Sequence, residues 1–447
     1  MNTFDRRSFI KGLSATAGAS ILTVPFAGAA GAKARVVVIG GGFGGATVAK
    51  YLRQLDPGIA VTLIERETRY TACPLSNEVL SDSRDIRSLQ TGYDKLGKRA
   101  IQLVHAEVVG IDAPGKKVTL ADGKTLAYDF LVVAPGIDFK FSAVAGLSQE
   151  VADTRIPHAW KAGAQTLLLK KQLAAMPDNG KFIIAVPKGP LRCPPGPYER
   201  AAQAAMYFKH HGKTKAKILI LDANDTFSKR GLFEQAWKTL YGYGPGGMIE
   251  WVPGASDGIV EAVDPDKMTC KTAFDEHKAD VINVIPPHIA GKIARDAGLA
   301  NVNGAWCGVK PMTMESTVHK DVYVIGDACI GGELSSGNGF PKSAHMANSQ
   351  AKVVAAALVA QINSLPVPNP TYTNTCYSVV DHDWGFSVVH LFRVENNQWV
   401  YVREGSGVSP VTIGTGKDAK PVPKIHRKIE AQYAAGWLNN LMADSFG

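Results

Sequence analysis

The most reactive side chains in this sequence are six cysteines, and their spacing limits the chemistry they suit. No pair forms a CxxC motif, and the spacing matches neither a zinc site nor a haem-attachment sequence, so no metal site is predicted. In an oxidising compartment the alternative role is structural disulfides, whose pairing the sequence leaves open. The six are Cys73, Cys193, Cys270, Cys307, Cys329 and Cys376.

Three of these cysteines occupy positions where chemistry is expected. Cys73 follows directly after a nucleotide-binding pattern, and Cys193 lies in a proline-rich loop that should face a cofactor cleft. Cys376 lies in a C-terminal segment that we expect to return over a sheet. The other three lie in or beside apolar runs that predict strands, and we expect buried, unreactive thiols there: Cys270, Cys307 and Cys329.

A strand, a glycine loop, a helix and a second strand follow one another just before Cys73. The run ARVVVIGGGFGGATVAKYLRQL carries the spacing Gly40-x-Gly42-x-x-Gly45, and the strand AVTLIE after it ends in Glu65. Gly40 allows a tight turn, Gly42 lets a pyrophosphate approach the backbone, and Gly45 lets helix and strand pack closely. The helix N-terminus would face the phosphates, and Glu65 would accept from ribose hydroxyls. These parts in register predict a dinucleotide site rather than a glycine-rich turn without a ligand.

Two further segments favour FAD as that dinucleotide. The apolar strand YDFLVVAPG ends in Ala134-x-Gly136, and the strand DVYVIGDA ends in Gly326-Asp327. In flavoproteins with two dinucleotide domains, such a Gly-Asp pair lies at the ribityl chain of the flavin. The following helix would point its N-terminus at the flavin ring, where its dipole favours negative charge. Lys342, at the start of that helix, would add to this effect.

A second domain has matching elements but the wrong chemistry for a nucleotide. GKFIIAVPKG predicts the strand at which an NAD(P)H-binding domain would begin, and AKILILDAN predicts the next strand. A pyrophosphate loop needs glycines and free N–H groups, whereas prolines remove donors and stiffen the turn. We therefore expect this domain to lack a nucleotide and NAD(P)H not to be the electron donor. The prolines in question are Pro190, Pro194, Pro195 and Pro197.

Composition and the N-terminus indicate a compartment. The net charge of +9 includes no long Lys/Arg run, which argues against nucleic acid as a partner. DRRSFIKG, a weakly apolar Ala/Gly-rich run and a small-residue cleavage site predict a twin-arginine export signal over 1–30, and hence a periplasmic protein; the alternative is a frayed helix with two chance arginines. Elsewhere no apolar run approaches about 18 residues, so no membrane span is predicted.

Several stretches resemble one family closely: YTACPLSNEV, RCPPGPYERA, IPPHIAGKIARDAGL, GAWCGVKPMTMEST, VIGDAC, NTCYS and WLNNLMADSFG. Across essentially the whole mature chain, the sequence resembles the flavoprotein subunit of flavocytochrome c sulfide dehydrogenase, a relative of sulfide:quinone oxidoreductases and glutathione reductase. The resemblance implies that Cys73 is joined to the 8α-methyl group of FAD by a thioether. It also implies that Cys193 and Cys376 form a redox disulfide beside the flavin.

The same resemblance implies an activity and a partner. The chain would oxidise sulfide to sulfur or polysulfide and pass electrons singly to a c-type cytochrome. The haem would be carried by a separate cytochrome subunit, because this chain has no CxxCH. From its position in the first turn of the helix after Cys193, Glu199 would receive a proton from H₂S or tune the attacked sulfur; the alternative is an ordinary acid at a helix N-terminus. Trp437 would lie near the flavin, as the matching residue of the family does; the alternative is a core aromatic.

The predicted fold is α/β, with two Rossmann-like, three-layer, glutathione reductase-like domains and a small α+β C-terminal domain. The predicted segments are 31–147 and 294–365 for FAD, 148–293 for the domain without a nucleotide, and 366–447 for a flavin and cytochrome interface. In the last segment we expect a hairpin and a short helix to Trp437. Two other functions stay open. One is a membrane-surface sulfide:quinone oxidoreductase, and the other is a non-catalytic flavin scaffold resembling apoptosis-inducing-factor-like flavoproteins.

Overall fold

The computed structural model describes residues 31–331 and 340–447, so the predicted export signal over 1–30 lies outside the described residues. Helices and strands alternate along most of the described chain, as expected for an α/β protein. Within the described residues, no helix combines the length and the apolar character needed to cross a bilayer. The helices are α1 (Phe43–Leu55), α2 (Asp94–Gly97), α3 (Gln149–Thr154), α4 (Ala164–Ala175), α5 (Gly196–His210), α6 (Arg230–Leu240), α7 (Lys292–Asp296), α8 (Ala344–Ile362) and α9 (Lys424–Phe446).

Within the described residues, the strands form two larger parallel sheets, one long antiparallel hairpin and several small sheets. They are β1 (Ala34–Ile39), β2 (Ile59–Ile64), β3 (Arg69–Thr71), β4 (Gln90–Gly92), β5 (Ile101–Val104), β6 (Val108–Asp112), β7 (Lys117–Leu120), β8 (Thr125–Ala127), β9 (Phe130–Val133), β10 (Ile137–Phe139), β11 (Lys181–Val186), β12 (Lys217–Asp222), β13 (Ile249–Val252), β14 (Ala262–Asp264), β15 (Thr269–Lys271), β16 (Glu276–Lys278), β17 (Val281–Val284), β18 (His288–Ala290), β19 (Cys307–Gly308), β20 (Val322–Val324), β21 (Cys329–Ile330), β22 (Thr371–Asp381), β23 (Trp384–Glu395), β24 (Gln398–Tyr401), β25 (Gly407–Val408), β26 (Thr412–Ile413) and β27 (Lys420–Pro421).

The first parallel sheet brings the predicted FAD segments to one edge. Its strand order is β20-β9-β1-β2-β5. Ile39 at the end of β1 lies opposite Val133 at the end of β9, which in turn lies opposite Val324 at the end of β20. β1 and β2 are almost continuous apolar runs and are buried, and α1 packs against both of them. The loops after β1, β9 and β20 therefore start side by side, where an open α/β sheet binds its ligands.

The second parallel sheet has the order β13-β12-β11-β17. Its central strand β11 is almost entirely buried and runs directly into the proline-rich loop, after which α5 begins at Gly196. The neighbouring strand β12 leads through another loop to α6. Both loops leave the carboxyl end of this sheet, so side chains from both are available to one cleft. The α/β class is confirmed; the division into domains stays a prediction.

The C-terminal segment contains the predicted hairpin but a longer helix than expected. β23 ends at Glu395 and β24 begins at Gln398, and the two asparagines between them have φ values of 50° and 59°, as two-residue hairpin turns require. The prediction of a short helix to Trp437 is wrong, because α9 is 23 residues long and ends at Phe446. The helix persists because its apolar side recurs at helical spacing and packs against β22, β23 and α1. The buried apolar residues of this side include Ala431, Ala434, Leu438, Leu441 and Phe446.

Candidate functional site

The glycine loop after β1 has the geometry of a close-packed strand-to-helix turn. Gly40 has a φ of 96°, and a Cβ there would overlap the carbonyl oxygen of Ala134. A Cβ at Gly45 would overlap the carbonyl oxygen of Gly40 itself. Gly42 is the N-cap of α1 and no side chain caps it there, so the helix N-terminus is left to other acceptors. Glycine is needed at Gly40 for its backbone and at Gly45 for space, and the loop keeps the form of a pyrophosphate cradle.

The predicted ribose-binding acid lies against this loop. The Glu65 carboxylate follows β2 and accepts hydrogen bonds from the N–H of Gly41 at 2.6 Å and from the N–H of Glu67 at 3.0 Å. Tyr93 also holds the loop, since its hydroxyl donates to the carbonyl of Gly41 at 3.1 Å. The acid is therefore held at the mouth of the cradle, next to the position a dinucleotide would take.

Asp327 and Lys342 converge at the carboxyl end of β20. Gly326 has a φ of 75°, and within the described residues the Oδ1 atom of Asp327 is buried without a hydrogen-bond partner. Such an orphaned acceptor fits a ligand that donates hydroxyl groups, as a ribityl chain does. Lys342 lies just before Ser343, the N-cap of α8, and donates to the carbonyls of Asp327 and Cys329, each at 2.8 Å. These residues fit the FAD site that the sequence predicts.

Cys73 is half-buried and lies near Arg192 of the proline-rich loop. Its Sγ is 3.9 Å from the carbonyl oxygen of Trp160, to which the guanidinium of Arg192 also donates. Arg192 also approaches Asp327, with 3.9 Å between its Nη1 and Asp327 Oδ2. Cys73 therefore belongs to the same cleft as Asp327.

Cys193 and Cys376 come together from separate elements. Cys193 follows β11 with a φ of 54°, and Cys376 lies in the middle of β22. Burial, together with the negative charges of Glu199 and Cys376, raises the pKa of the Cys193 thiol to about 12. Burial also raises the pKa of Cys376. All six cysteines lie in the described part of the chain, and none of them is in a disulfide there.

The surroundings of Cys193 indicate an internal cleft. Cys193 has an exposed surface and Arg192 a half-buried one, yet in both cases burial is the largest single influence on the pKa: it raises the pKa of Cys193, and at Arg192 it opposes the negative groups that raise the pKa. Both observations hold when a side chain lines a cleft inside the protein rather than the outer surface. A cleft of this kind, with sulfur atoms and convergent polar groups, is the default place for ligand binding.

Glu199 lies in the first turn of α5, as predicted, and is buried. Its carboxylate accepts hydrogen bonds from the N–H of Val379 at 2.9 Å and from the side-chain amide of Asn77 at 3.3 Å. Burial raises the pKa of Glu199 to about 7. A carboxyl group with a pKa near neutrality is suited to proton transfer at neutral pH.

Three N–H groups of the proline-rich loop are already used by the protein. Gly189, Arg192 and Cys193 each donate a hydrogen bond, at 3.3, 3.0 and 2.9 Å, and the prolines of the loop have no N–H to offer. A pyrophosphate binds through free N–H groups, so this loop is unsuited to one. The acceptors are Asn224 Oδ1, His288 Nδ1 and the Lys342 carbonyl oxygen.

The three remaining cysteines are buried, as expected for unreactive thiols. Cys307 and Cys329 lie opposite each other in the β19–β21 pair, and Cys270 lies in the middle of β15. Burial raises the pKa of Cys270 and Cys307 to about 12 and that of Cys329 to about 11. Unlike Cys193, these thiols have almost no surface that a reactant could reach, and a buried, protonated thiol is a poor nucleophile.

Trp437 lies on α9 and is half-buried against the strand of Cys376. Its ring centroid is 5.9 Å from that of Tyr377, and within the described residues its indole N–H is buried without a partner. Buried indole N–H groups normally have an acceptor, so a ligand group is one candidate for that acceptor. The position of Trp437 near the flavin stays a prediction.

Lys229 is a further residue of the cleft, and the sequence did not predict it. This half-buried residue precedes α6, and its ammonium donates a hydrogen bond of 2.8 Å to the Ser378 hydroxyl, two residues beyond Cys376 on β22. The charges that act on its pKa include Cys376, Glu199 and Cys193, so it lies in the same cleft as these three residues. The one available signal was its place in the loop after β12, which adjoins β11 in a parallel sheet.

Comparisons with protein families match three parts of the chain. The model of the pyridine nucleotide-disulphide oxidoreductases matches residues 34–172. The model of the central part of the sulfide dehydrogenase [flavocytochrome c] flavoprotein chain matches residues 166–286. The flavin-binding model of flavocytochrome c sulphide dehydrogenase matches residues 368–446, which include Cys376 and Trp437.

Individual relatives agree with these matches. A sulfide dehydrogenase [flavocytochrome c] flavoprotein chain of Chlorobaculum thiosulfatiphilum is 67% identical over 45 residues, 10% of this chain and 94% of that sequence. A sulfide-quinone reductase of Aquifex aeolicus is 24% identical over 363 residues, 78% of this chain and 82% of that one. The X-ray structure of the sulfide:quinone oxidoreductase of Aquifex aeolicus has a TM-score of 0.69 at 19% identity and covers 92% of this chain and 91% of that one, which shows a shared fold.

Proposed function

Because the chain belongs to the family of flavocytochrome c sulfide dehydrogenase flavoprotein chains, a family of sulfide-oxidising FAD oxidoreductases, we propose that it oxidises sulfide through a Cys193–Cys376 redox pair. The observation that carries this proposal is the convergence of both thiols with a buried Glu199 carboxyl in one cleft. The product would be sulfur or polysulfide, and the electrons would pass to a c-type cytochrome.

The sulfur chemistry follows from the residues of the cleft. Hydrosulfide attacks one sulfur of the Cys193–Cys376 disulfide, forms a new S–S bond to it and expels the other sulfur as thiolate. Glu199 lies in the cleft and has a pKa near 7, so its carboxylate accepts the proton that sulfide loses on oxidation. Bound FAD would supply a two-electron acceptor for the reduced pair and a one-electron donor for haem.

The residues that would hold FAD are those of the first parallel sheet. The glycine loop would accept the pyrophosphate, Glu65 the ribose, and Asp327 the ribityl hydroxyls. Ala134 and Gly136 follow the adjacent strand β9 and would border the same cleft. Lys342, buried and positively charged, would lie beside the cofactor near the N-terminus of α8. We propose Cys73 as the covalent tether, because its half-buried sulfur lies in the cleft that Asp327 also borders.

The cytochrome partner and the compartment are parts of the same proposal. The chain has no CxxCH, so the haem would be carried by another polypeptide. The predicted twin-arginine signal over 1–30 supports a periplasmic location. That location is compatible with a c-type cytochrome partner and with a flavin that is retained covalently. The segment 366–447 would contact both flavin and cytochrome.

A membrane-surface sulfide:quinone oxidoreductase is the second candidate, favoured by the match to the Aquifex aeolicus reductase over 78% of this chain. Such an enzyme needs an amphipathic surface that enters the bilayer. In this chain the apolar side of α9 is buried against β22, β23 and α1. That packing favours the cytochrome-linked enzyme.

One experiment separates the candidates. Purified FAD-loaded protein is mixed anaerobically with sulfide and then supplied with either a c-type cytochrome or a soluble ubiquinone analogue. The proposal predicts bleaching of the flavin by sulfide, fast cytochrome reduction and slow quinone reduction. Fast quinone reduction with slow cytochrome reduction would support the quinone enzyme, and no bleaching would support the non-catalytic scaffold.

A further inference from the structure

The two sulfurs of the proposed redox pair lie in unequal surroundings. Cys193 is exposed within the cleft, whereas Cys376 is half-buried on β22. Asn374 and Ser378 lie on either side of Cys376 on the same face of the strand, and both are fully buried. Access therefore favours approach of a small anion to Cys193.

Lys229 provides a positive charge on the Cys376 side. Its ammonium donates 2.8 Å to the Ser378 hydroxyl and lies 5.4 Å from the centroid of the Phe386 ring. Ser378 and Phe386 are directly opposite each other in the β22–β23 register. These two contacts hold the ammonium against the strand that carries Cys376.

The charges around the two thiols also distinguish Cys376 from Cys193. Burial raises the pKa of Cys376, and Lys229 is the strongest influence that lowers it. At Cys193 the strongest charge influence is the Glu199 carboxylate, which raises the pKa further. Burial lowers the pKa of Lys229, and the groups that favour its ammonium are, in decreasing order, Cys376, Glu199, Cys193 and Glu430. A thiolate is therefore better stabilised at Cys376 than at Cys193.

We infer that sulfide attacks Cys193 and that Cys376 leaves as a thiolate beside the ammonium of Lys229. The inference rests on the proposed function, because it requires the Cys193–Cys376 disulfide. A bond forms between the hydrosulfide sulfur and Cys193 Sγ while the Cys193–Cys376 bond breaks, and the electron pair of the broken bond stays on Cys376. The proton of hydrosulfide stays on the terminal sulfur of the Cys193 persulfide until the Glu199 carboxylate accepts it. Lys229 is a positioning residue, since it acts through the charge of Cys376.

The first test locates the persulfide. Oxidised, FAD-loaded protein is mixed anaerobically with sodium sulfide, quenched with excess iodoacetamide at short times, digested and examined by mass spectrometry. We expect an alkylated persulfide on the Cys193 peptide and an ordinary alkylated thiol on the Cys376 peptide. A persulfide on Cys376 overturns this inference and leaves the proposed function standing. An intact disulfide after exposure to sulfide contradicts both.

The second test concerns Lys229 itself. In reduced protein, Lys229→Met should slow alkylation of Cys376 at fixed pH by roughly tenfold, since a neighbouring opposite charge lowers a thiol pKa by about one unit or more. Lys229→Arg should keep a near-normal rate. The control is Lys213→Met, another half-buried lysine of the same sheet region, whose ammonium bonds only to main-chain carbonyls and has no cysteine among its charge neighbours. An unchanged Cys376 rate in folded Lys229→Met, or equal slowing in Lys213→Met, overturns the role of Lys229.

Discussion

The carboxylate of Glu199 accepts a 2.9 Å hydrogen bond from the main-chain N–H of Val379, and this bond joins the helix that follows Cys193 to the strand that carries Cys376. The same carboxylate has a pKa near 7 because it is buried. One residue thus ties the two sulfur-bearing elements together and titrates in the range where a proton acceptor for sulfide is useful. Its substitution should affect both chemistry and stability.

Glu199→Gln should remove a pH dependence from flavin reduction by sulfide. The carboxylate accepts protons only above its pKa of about 7, so the wild-type rate should fall as pH decreases through that value. The glutamine keeps a carbonyl acceptor for Val379 but cannot take a proton, and the rate should drop by about a hundredfold or more at neutral pH. The measurement is anaerobic stopped-flow absorbance from pH 5 to pH 9. Ionisation of sulfide itself is common to both proteins, so a ratio of their rates that does not change with pH would contradict this role.

The same residue should make stability depend on pH. The folded-state pKa of Glu199, about 7, lies above its ordinary value of 4.5, so between these two values the folded state binds more protons than the unfolded state. The free energy of unfolding should therefore decrease as pH rises through this window, by at most about 1.4 kcal/mol for each unit of pKa shift, and level off above it. Glu199→Gln should lack this component in urea titrations at pH 5 and pH 8. If the free energy of unfolding changed by the same amount between pH 5 and pH 8 in the wild type and in Glu199→Gln, Glu199 would not be buried as described.

NADH and NADPH should not reduce the flavin. The N–H groups of Gly189, Arg192 and Cys193 in the loop after β11 are bonded within the protein, and its prolines have none, so few donors remain there for a pyrophosphate. The check is anaerobic incubation with each nucleotide at micromolar concentration, with sulfide as the positive control. Rapid bleaching by either nucleotide would show that the loop binds it after all.

Cys73→Ser should convert a covalently bound flavin into a removable one. The half-buried sulfur of Cys73 lies in the same cleft as Asp327, and we propose it as the tether. Wild-type protein precipitated with acid should stay yellow, whereas the variant should release FAD into the supernatant. Cys329→Ala is the matched control, because Cys329 also lies near the predicted flavin segment but is buried in β21. Free FAD released from the wild type would sink this assignment.

Much of the first parallel sheet could be predicted because its signals are local. The apolar run of β1 and the three glycines each reflect a constraint that adjacent residues satisfy, and Gly40 indeed has a positive φ. The length of α9 could not be predicted in the same way. Its apolar side is stabilised by packing against β22, β23 and α1, and none of these elements is adjacent to α9 in the sequence. A helix held by tertiary packing can continue past the point at which its own sequence pattern weakens.

The candidate site also contains residues that local sequence signals predict and residues that only the folded protein reveals. The role of Cys193 and Cys376 as a pair was available only from resemblance, because one lies in a loop and the other in a distant strand. Glu199 was found from its position in the first turn of a predicted helix, but its burial and its bond to Val379 depend on the C-terminal hairpin. Lys229 was missed because an isolated lysine in a loop has no local signature, and its contacts with Ser378 and Phe386 exist only in the folded protein.

The pairing of Cys193 with Cys376 is the central claim, and flavin reduction in single-cysteine variants tests it most directly. Cys193→Ser and Cys376→Ser are compared with Cys270→Ala, whose buried thiol lies in β15. Rates of flavin reduction by sulfide are measured by anaerobic stopped-flow absorbance, beside thermal melts. A redox pair predicts folded, yellow variants of Cys193 and Cys376 in which reduction is slower by orders of magnitude, while Cys270→Ala reduces at the wild-type rate. A purely structural disulfide across so long a loop would instead contribute roughly 4–5 kcal/mol to stability. Near wild-type reduction rates with a large fall in melting temperature in both serine variants would therefore contradict the account.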